Sequence, residues 1–138
     1  MSRIATIRPG DLLPERQHCC DNIQLFLYNA ALWNAHRIHF DYPYATQIEG
    51  YPGLVVAGPL MGDWLTQCVL EWLDDEGDLV SFEYSNRKAA FTGDKLRSGG
   101  KVLSSNPDTG EVKLDLHIMN EADKVITPGK ATVRFPVA

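Results

Sequence analysis

Between Asn34 and Glu49 the sequence gathers side chains that hold or move protons: Asn34, His36, His39, Asp41 and Glu49. Histidine has an ordinary pKa close to neutral, so either imidazole can take or give a proton there. Asp41 and Glu49 can orient an imidazole from behind. Downstream, Gly58-Pro59 opens the longest apolar-periodic run of the chain. Proline suits the first turn of a helix, and bare N–H groups at a helix start attract negative charge. A titratable cluster followed by such a helix start suits a reaction that shuttles a proton while negative charge builds on an oxygen nearby.

Each of these residues has a plainer explanation beside that one. His39 can be a loop histidine bonded to backbone, and Asp41 can cap a short helix beginning at Pro43. Glu49 can be a solvated turn residue, and Gly58 can serve only to start the helix. His36-x-x-His39 with Asp41 is a poor metal set because a second ligand pair is missing, so no metal is expected. Arg87 with Lys88, or Lys95, Arg97 and Lys101, can meet phosphates. Each is equally well explained as a solvated strand edge.

The elements around this segment must position it. Residues 4–13 read as a short extended opening cut by the turn Arg8-Pro9-Gly10-Asp11. Asp21 with Gln24 forms a capping box for a helix over 22–33, whose Ile23, Phe26, Leu27, Ala30 and Ala31 recur at helical spacing. Residues 34–41 read as a loop, and 43–48 as a short helix broken by Glu49-Gly50. Leu60, Trp64, Leu65, Cys68, Val69 and Trp72 mark a helix over 59–74, with Gly77 as its stop. Alternation predicts strands near 80–84, 101–105, 112–118 and 131–135. The N-terminal strand must join them. One long apolar helix against one antiparallel sheet is the simplest way to bury both, which gives an α+β layer.

A chain of 138 residues with net charge −5 is long enough for one domain with its own core. Its cations are scattered, which argues against nucleic acid. No apolar run has the length of a membrane span. The opening MSRIATIRPGD lacks the apolar stretch of a signal peptide, so export is not expected. Three cysteines without framework spacing fit a reducing cytoplasm.

The segment IQLFLYNAALWNAHRIHFDYPYATQIEGYPGLVVAGPL, with RPGD before it and FTGDKL after it, resembles the MaoC-like hot-dog hydratases and dehydratases. It is most similar to the branch acting on C4-dicarboxylic thioesters such as mesaconyl- and itaconyl-CoA. The resemblance implies one hot-dog domain over 1–138, a curved sheet wrapped round a central helix. It implies a homodimer or higher homo-oligomer with acyl-CoA bound at the protomer interface, and no cofactor beyond the CoA of the substrate. The implied reaction is reversible addition of water to an α,β-unsaturated acyl-CoA. His39 and Asp41 match the family's signature. Asn34 stands where that signature has a catalytic Asp, His36 where it has Asn, and Ala57 where close relatives often have His.

The roles implied are His39 for proton transfer, Asn34 to hold water and the Gly58 N–H for the thioester oxygen. His36, Asp41 and Glu49 would contact substrate or orient the imidazole. An amide cannot exchange protons at neutral pH, so Asn34 departs from a two-base mechanism. Two other readings stand beside this one. A hot-dog thioesterase would need a carboxylate near the helix start, and Asp63 or Glu49 are the local offers. A non-catalytic acyl-CoA-binding subunit of a heteromeric hydratase would accommodate the departures at Asn34 and Ala57.

Overall fold

The computed structural model describes residues 2–137. Strands β1 (Arg16–His18), β2 (Asp78–Tyr84), β3 (Leu96–Asn106), β4 (Glu111–Met119) and β5 (Val125–Arg134) form one antiparallel sheet in the order β1-β3-β4-β5-β2. Helices α1 (Asn22–Ala31) and α2 (Gly58–Leu73) lie between β1 and β2 in the chain. The curled sheet packs four of its strands around α2, which is the hot-dog arrangement and the α+β layer expected.

Burial follows from the sequence pattern. On β4, Val112, Leu114, Leu116 and Ile118 are buried while Lys113 is exposed, so a period of two presents one face to the helix. Helix α2 meets it with Leu60, Met61, Trp64, Leu65, Cys68, Val69 and Leu73. Each such aliphatic or aromatic side chain contributes about 1.5–3 kcal/mol when fully buried. Register shifts at Leu79/Ser81, Val102/Ser104 and Ile118/Met119 interrupt the ladders. Bulges of this kind add the twist that lets a sheet wrap a helix.

The differences from the expected elements have physical reasons. Residues 4–13 are not one strand: Arg3–Ala5 is a 3-10 turn, and Ile4 and Ile7 are both buried. The chain then runs beside β3 through the Leu12–Lys101 bridge and the Leu13 N–H bond to the Gly100 carbonyl, 2.9 Å, before β1 pairs at 16–18. Strand β5 begins at Val125 rather than 131, because Pro128 and Gly129 hide its alternation.

Helix α2 ends at Leu73, within a residue of the expected 74, but Asp74 and Asp75, in the left-handed region at φ 51° and 58°, stop it rather than Gly77. Aspartate tolerates that conformation better than most residues. The acidic end lacks a local cation, and Arg3 supplies one from the other end of the chain. It donates to the Leu73 carbonyl (2.8 Å) and to that of Trp72, satisfying carbonyls the helix leaves open. Helix α1 stops at Ala31, two residues early, and Trp33 adopts φ 56°. The stripe that marks α1 in the sequence faces outward: Ile23, Phe26 and Leu27 are 65%, 55% and 61% exposed, whereas Leu25 and Asn29 are buried. Helix α1 packs on the 37–39 turn instead of on the sheet.

His18 on β1 stacks on Trp64 with ring centroids 4.2 Å apart, and its Nε2 lies 2.9 Å from Ser98 Oγ. Burial, with Arg16 nearby, pushes its pKa down to about 4 from 6.5. The unfolded chain binds that proton more readily, so stability is full above pH 6.5 and is lost as pH falls toward 4. The urea midpoint is therefore expected to drop between pH 7 and about 4.5. His18→Phe should be less stable at pH 7, because the Ser98 hydroxyl loses its partner, yet show a shallower pH slope. An unchanged slope in that variant would contradict the assignment.

Candidate active site

The buried segment Leu54–Ala57 runs into α2 and is locked from both sides. Its Val55 N–H bonds the Ile38 carbonyl (3.0 Å) and its Val56 N–H bonds the Ala90 carbonyl (2.8 Å); the Thr92 N–H bonds the Leu54 carbonyl (3.0 Å). Ala57 precedes α2 and gives it no side-chain cap. Pro59 has no N–H, and those of Leu60 and Met61 turn back to the Ala57 carbonyl. The Gly58 N–H meets no acceptor among the described residues. One open donor thus stands at the positive end of the buried helix.

His39 closes the 3-10 turn Arg37–His39 and is only 7% exposed. Its Nδ1 lies 2.7 Å from the Val55 carbonyl oxygen. A carbonyl only accepts, so Nδ1 carries the hydrogen and Nε2 keeps a lone pair. Burial lowers the pKa of the ring; the bond to Val55 opposes this, and His36 lowers it further. At pH 7 the ring is therefore neutral and available as a base through Nε2. Val55 and Gly58 are three residues apart, so at most about 10 Å of chain separates the imidazole's anchor from the open N–H.

His36 caps the start of the same turn, and its ring meets that of His39 edge-on with centroids 5.7 Å apart. Asn34 Oδ1 accepts the His36 N–H (3.2 Å), and the Asn34 N–H bonds the Asn29 carbonyl (2.9 Å). The turn thus brings the His36 and His39 rings together, with the Asn34 side chain on the His36 backbone. Asp41 is engaged elsewhere: it accepts from Arg37 Nη2 (2.7 Å) and Nε (3.0 Å) and from the Tyr44 N–H (3.2 Å). The hydrogen bond from Arg37 is the main cause holding its carboxyl below the usual range. Glu49 accepts from the Tyr44 hydroxyl (2.8 Å), on the turn Tyr44–Ile48, which is π-helical. Neither carboxylate bonds an imidazole among the described residues; the Val55 carbonyl orients His39 instead. A backbone acceptor leaves no signature in residue types.

Asn86 is a residue that the sequence reading passes over. A Cβ added at Gly58 would overlap the Asn86 Nδ2, so this carboxamide lies against the start of α2. Thr127 Oγ1 donates to its Oδ1 (3.0 Å). Only the absence of a side chain at position 58 signals the approach. Asp63 accepts from the Tyr28 hydroxyl (2.7 Å). A cleft of about 340 Å³ borders Asn34, with Phe26, Ala30, Trp33, Ala35 and Phe40 in its wall and no charged group. Lys88 and Lys95 line a second cavity of about 400 Å³ together with Asp94 and Glu121. Arg97 is held by Asp123 (2.6 Å) and Glu15 (3.6 Å). Among the described residues no three His, Cys, Asp or Glu side chains gather as a metal site, and no helix is long and apolar enough to cross a membrane.

Comparison with known proteins adds a family match, two relatives and two solved structures. A family profile described as hydroxyacyl-thioester dehydratase type 2 matches residues 6–92. The chain is 65% identical over 37 residues to the mesaconyl-C(4)-CoA hydratase of Chloroflexus aurantiacus, covering 27% of this chain and 13% of that protein. It is 36% identical over 80 residues to the mitochondrial hydroxyacyl-thioester dehydratase type 2 of Schizosaccharomyces pombe, covering 54% of this chain and 25% of that one. The matched parts are thus a quarter or less of those relatives. Among solved structures, an (R)-hydratase from A. caviae involved in PHA biosynthesis superposes with TM-score 0.85 at 16% identity, covering 95% of this chain and 98% of that one. A MaoC-like dehydratase gives 0.87 at 22% identity, covering 96% of this chain and 42% of that one. At those identities the structures establish the shared fold.

The His39 geometry makes a direct spectroscopic prediction. Nitrogen NMR of the imidazoles should show His39 as the Nδ1–H tautomer at pH 7, with its protonation midpoint below 6.5. His36→Ala should move that midpoint upward, because the His36 ring lowers it. A His39 midpoint above 6.5 would contradict the environment described.

Proposed function

Since the chain belongs to the hydroxyacyl-thioester dehydratase type 2 family, we propose that it is a hydro-lyase that adds water reversibly across an α,β-unsaturated acyl-CoA. The observation that carries this reading is the His39 imidazole. It is neutral, its tautomer is set by the Val55 carbonyl, and it is anchored three residues from the open Gly58 N–H.

Hydration has defined needs. The thioester carbonyl must be polarised, because charge collects on its oxygen as C3 is attacked. The Gly58 N–H and the positive helix end serve that need. Water must lose a proton as it bonds to C3, and His39 Nε2 accepts it. C2 must gain a proton, and the imidazolium formed in the first step returns the same one. The balance closes with one base, which suits a site where Asn34 replaces an acid. Asn34 and His36 hold water or substrate, and Asp41 and Glu49 stiffen the surrounding turn. CoA enters as part of the substrate, with no further cofactor.

The assembly is read as a homodimer with acyl-CoA at the interface. The outward stripe of α1 supports this, as does the carbon-lined cleft beside Asn34, which a second copy would close over the acyl chain. No cation lines that cleft and Arg37 is paired with Asp41, so an uncharged acyl tail fits it better than a C4-dicarboxylic one. Lys88 and Lys95, which share a cavity, are the candidates to receive CoA phosphates. Thioester hydrolysis is less well served, since Asp63 and Glu49 are engaged by Tyr28 and Tyr44.

Absorbance of the conjugated thioester is the test, with crotonyl-, mesaconyl- and longer monocarboxylic enoyl-CoA compared. The chain alone should consume at least one without releasing free thiol, and longer apolar tails should give higher kcat/KM than mesaconyl-CoA. His39→Ala should lower kcat/KM by on the order of 10²–10⁴ while remaining folded. No reaction with any of them, or a His39→Ala variant equal to wild type, would refute the proposal.

A further inference from the structure

The side-chain amide of Asn86 follows β2 in the chain, yet it packs on the start of α2. Its Nδ2 occupies the space where any residue but glycine at position 58 would place its Cβ. In a helix the Cα–Cβ direction tilts toward the N-terminus. The Nδ2 therefore lies against the first turn of α2, next to the residue that carries the open backbone N–H. The amide's orientation is fixed from behind. Its Oδ1 takes a hydrogen bond from Thr127 Oγ1 at 3.0 Å, and Thr127 on β5 is fully buried, with its hydroxyl 3.6 Å from Met61 Sδ of α2. With its oxygen end on the Thr127 hydroxyl, the carboxamide turns its NH₂ end to Gly58. That NH₂ group meets no protein acceptor among the described residues.

Asn86 is exposed and its amide is anchored at the oxygen end by the buried Thr127 hydroxyl; a neutral donor held so, beside the open Gly58 N–H, matches an oxygen that gains negative charge. We propose that Asn86 Nδ2 is a second hydrogen-bond donor to the substrate's thioester oxygen, sharing it with the Gly58 N–H. The inference rests on the hydro-lyase reading above and adds a catalytic residue to it. Gly58 then has two tasks: it presents its N–H, and it leaves room for the carboxamide. Thr127 is a positioning residue that acts through Asn86.

The experiment pairs kinetics on a turned-over enoyl-CoA with the absorption band of a bound dimethylaminocinnamoyl-CoA, which moves to longer wavelength as its carbonyl is polarised. Wild type should turn over the first and shift the band of the second. Asn86→Ala should lose most of the shift and about 100-fold in kcat, with little change in KM, as expected for one lost oxyanion donor. Asn86→Asp, of the same shape, should be lower still because its carboxylate faces the developing charge. Thr127→Val should give a smaller loss and Thr127→Ser should restore it, which tests the same contact without touching Asn86. An Asn86→Ala protein with wild-type kcat and an undiminished shift overturns the second donor and leaves the hydro-lyase reading standing. A wild-type protein with neither turnover nor shift overturns both.

Discussion

The hydrogen bond from His39 Nδ1 to the Val55 carbonyl is the constraint on which the rest of the site depends. It joins two stretches that chain connectivity leaves independent, the turn carrying the imidazoles and the buried segment leading into α2. A reciprocal bond, Val55 N–H to the Ile38 carbonyl, closes the clamp. Losing it would cost more than one interaction of about 1 kcal/mol, because the buried carbonyl and imidazole would both be left unpaired. The bond also selects the tautomer, and hence which nitrogen can act as a base.

The fold supplies the rigidity that this clamp needs. Segment 54–57 pairs on its other side with 90–92, and α2 is gripped by the sheet along its buried face. The helix start cannot drift from the imidazole unless the core of the sheet opens. At its far end Arg3 satisfies carbonyls that the acidic C-terminus leaves open. The placement of one open N–H is thus a property of the whole layer, from Arg3 at one end to Asn86 and Thr127 at the other.

Much of this was legible in the sequence, and the failures share a cause. Helix α2 and strand β4 are strongly periodic and were placed within a residue or two. Asp21 capped α1 as expected, its Oδ1 taking the Gln24 N–H at 2.7 Å. Strand β5 was cut short because Pro128 and Gly129 carry no alternation. The α1 stripe was visible, but whether it faces a core or a partner depends on tertiary packing. In the proposed site, residue type and resemblance point to His39, Asn34 and Gly58. Neither reveals what orients them, because the Val55 carbonyl is backbone and the Asn86 carboxamide arrives from 28 positions beyond Gly58. Asp41 and Glu49 looked like partners for an imidazole because acids near histidines often are. Arg37 and Tyr44, closer along the chain, engage them first.

The central claim is that a thioester oxygen rests at the start of α2 while its acyl carbons face His39 Nε2. A crystal structure with a saturated, unreactive butyryl-CoA would measure this directly. The account predicts the thioester oxygen within about 3.2 Å of the Gly58 nitrogen, with C2 or a bridging water at similar range from Nε2. Butyryl-CoA held elsewhere, with its carbonyl turned from α2 or with His39 Nε2 bonded to protein, would contradict it.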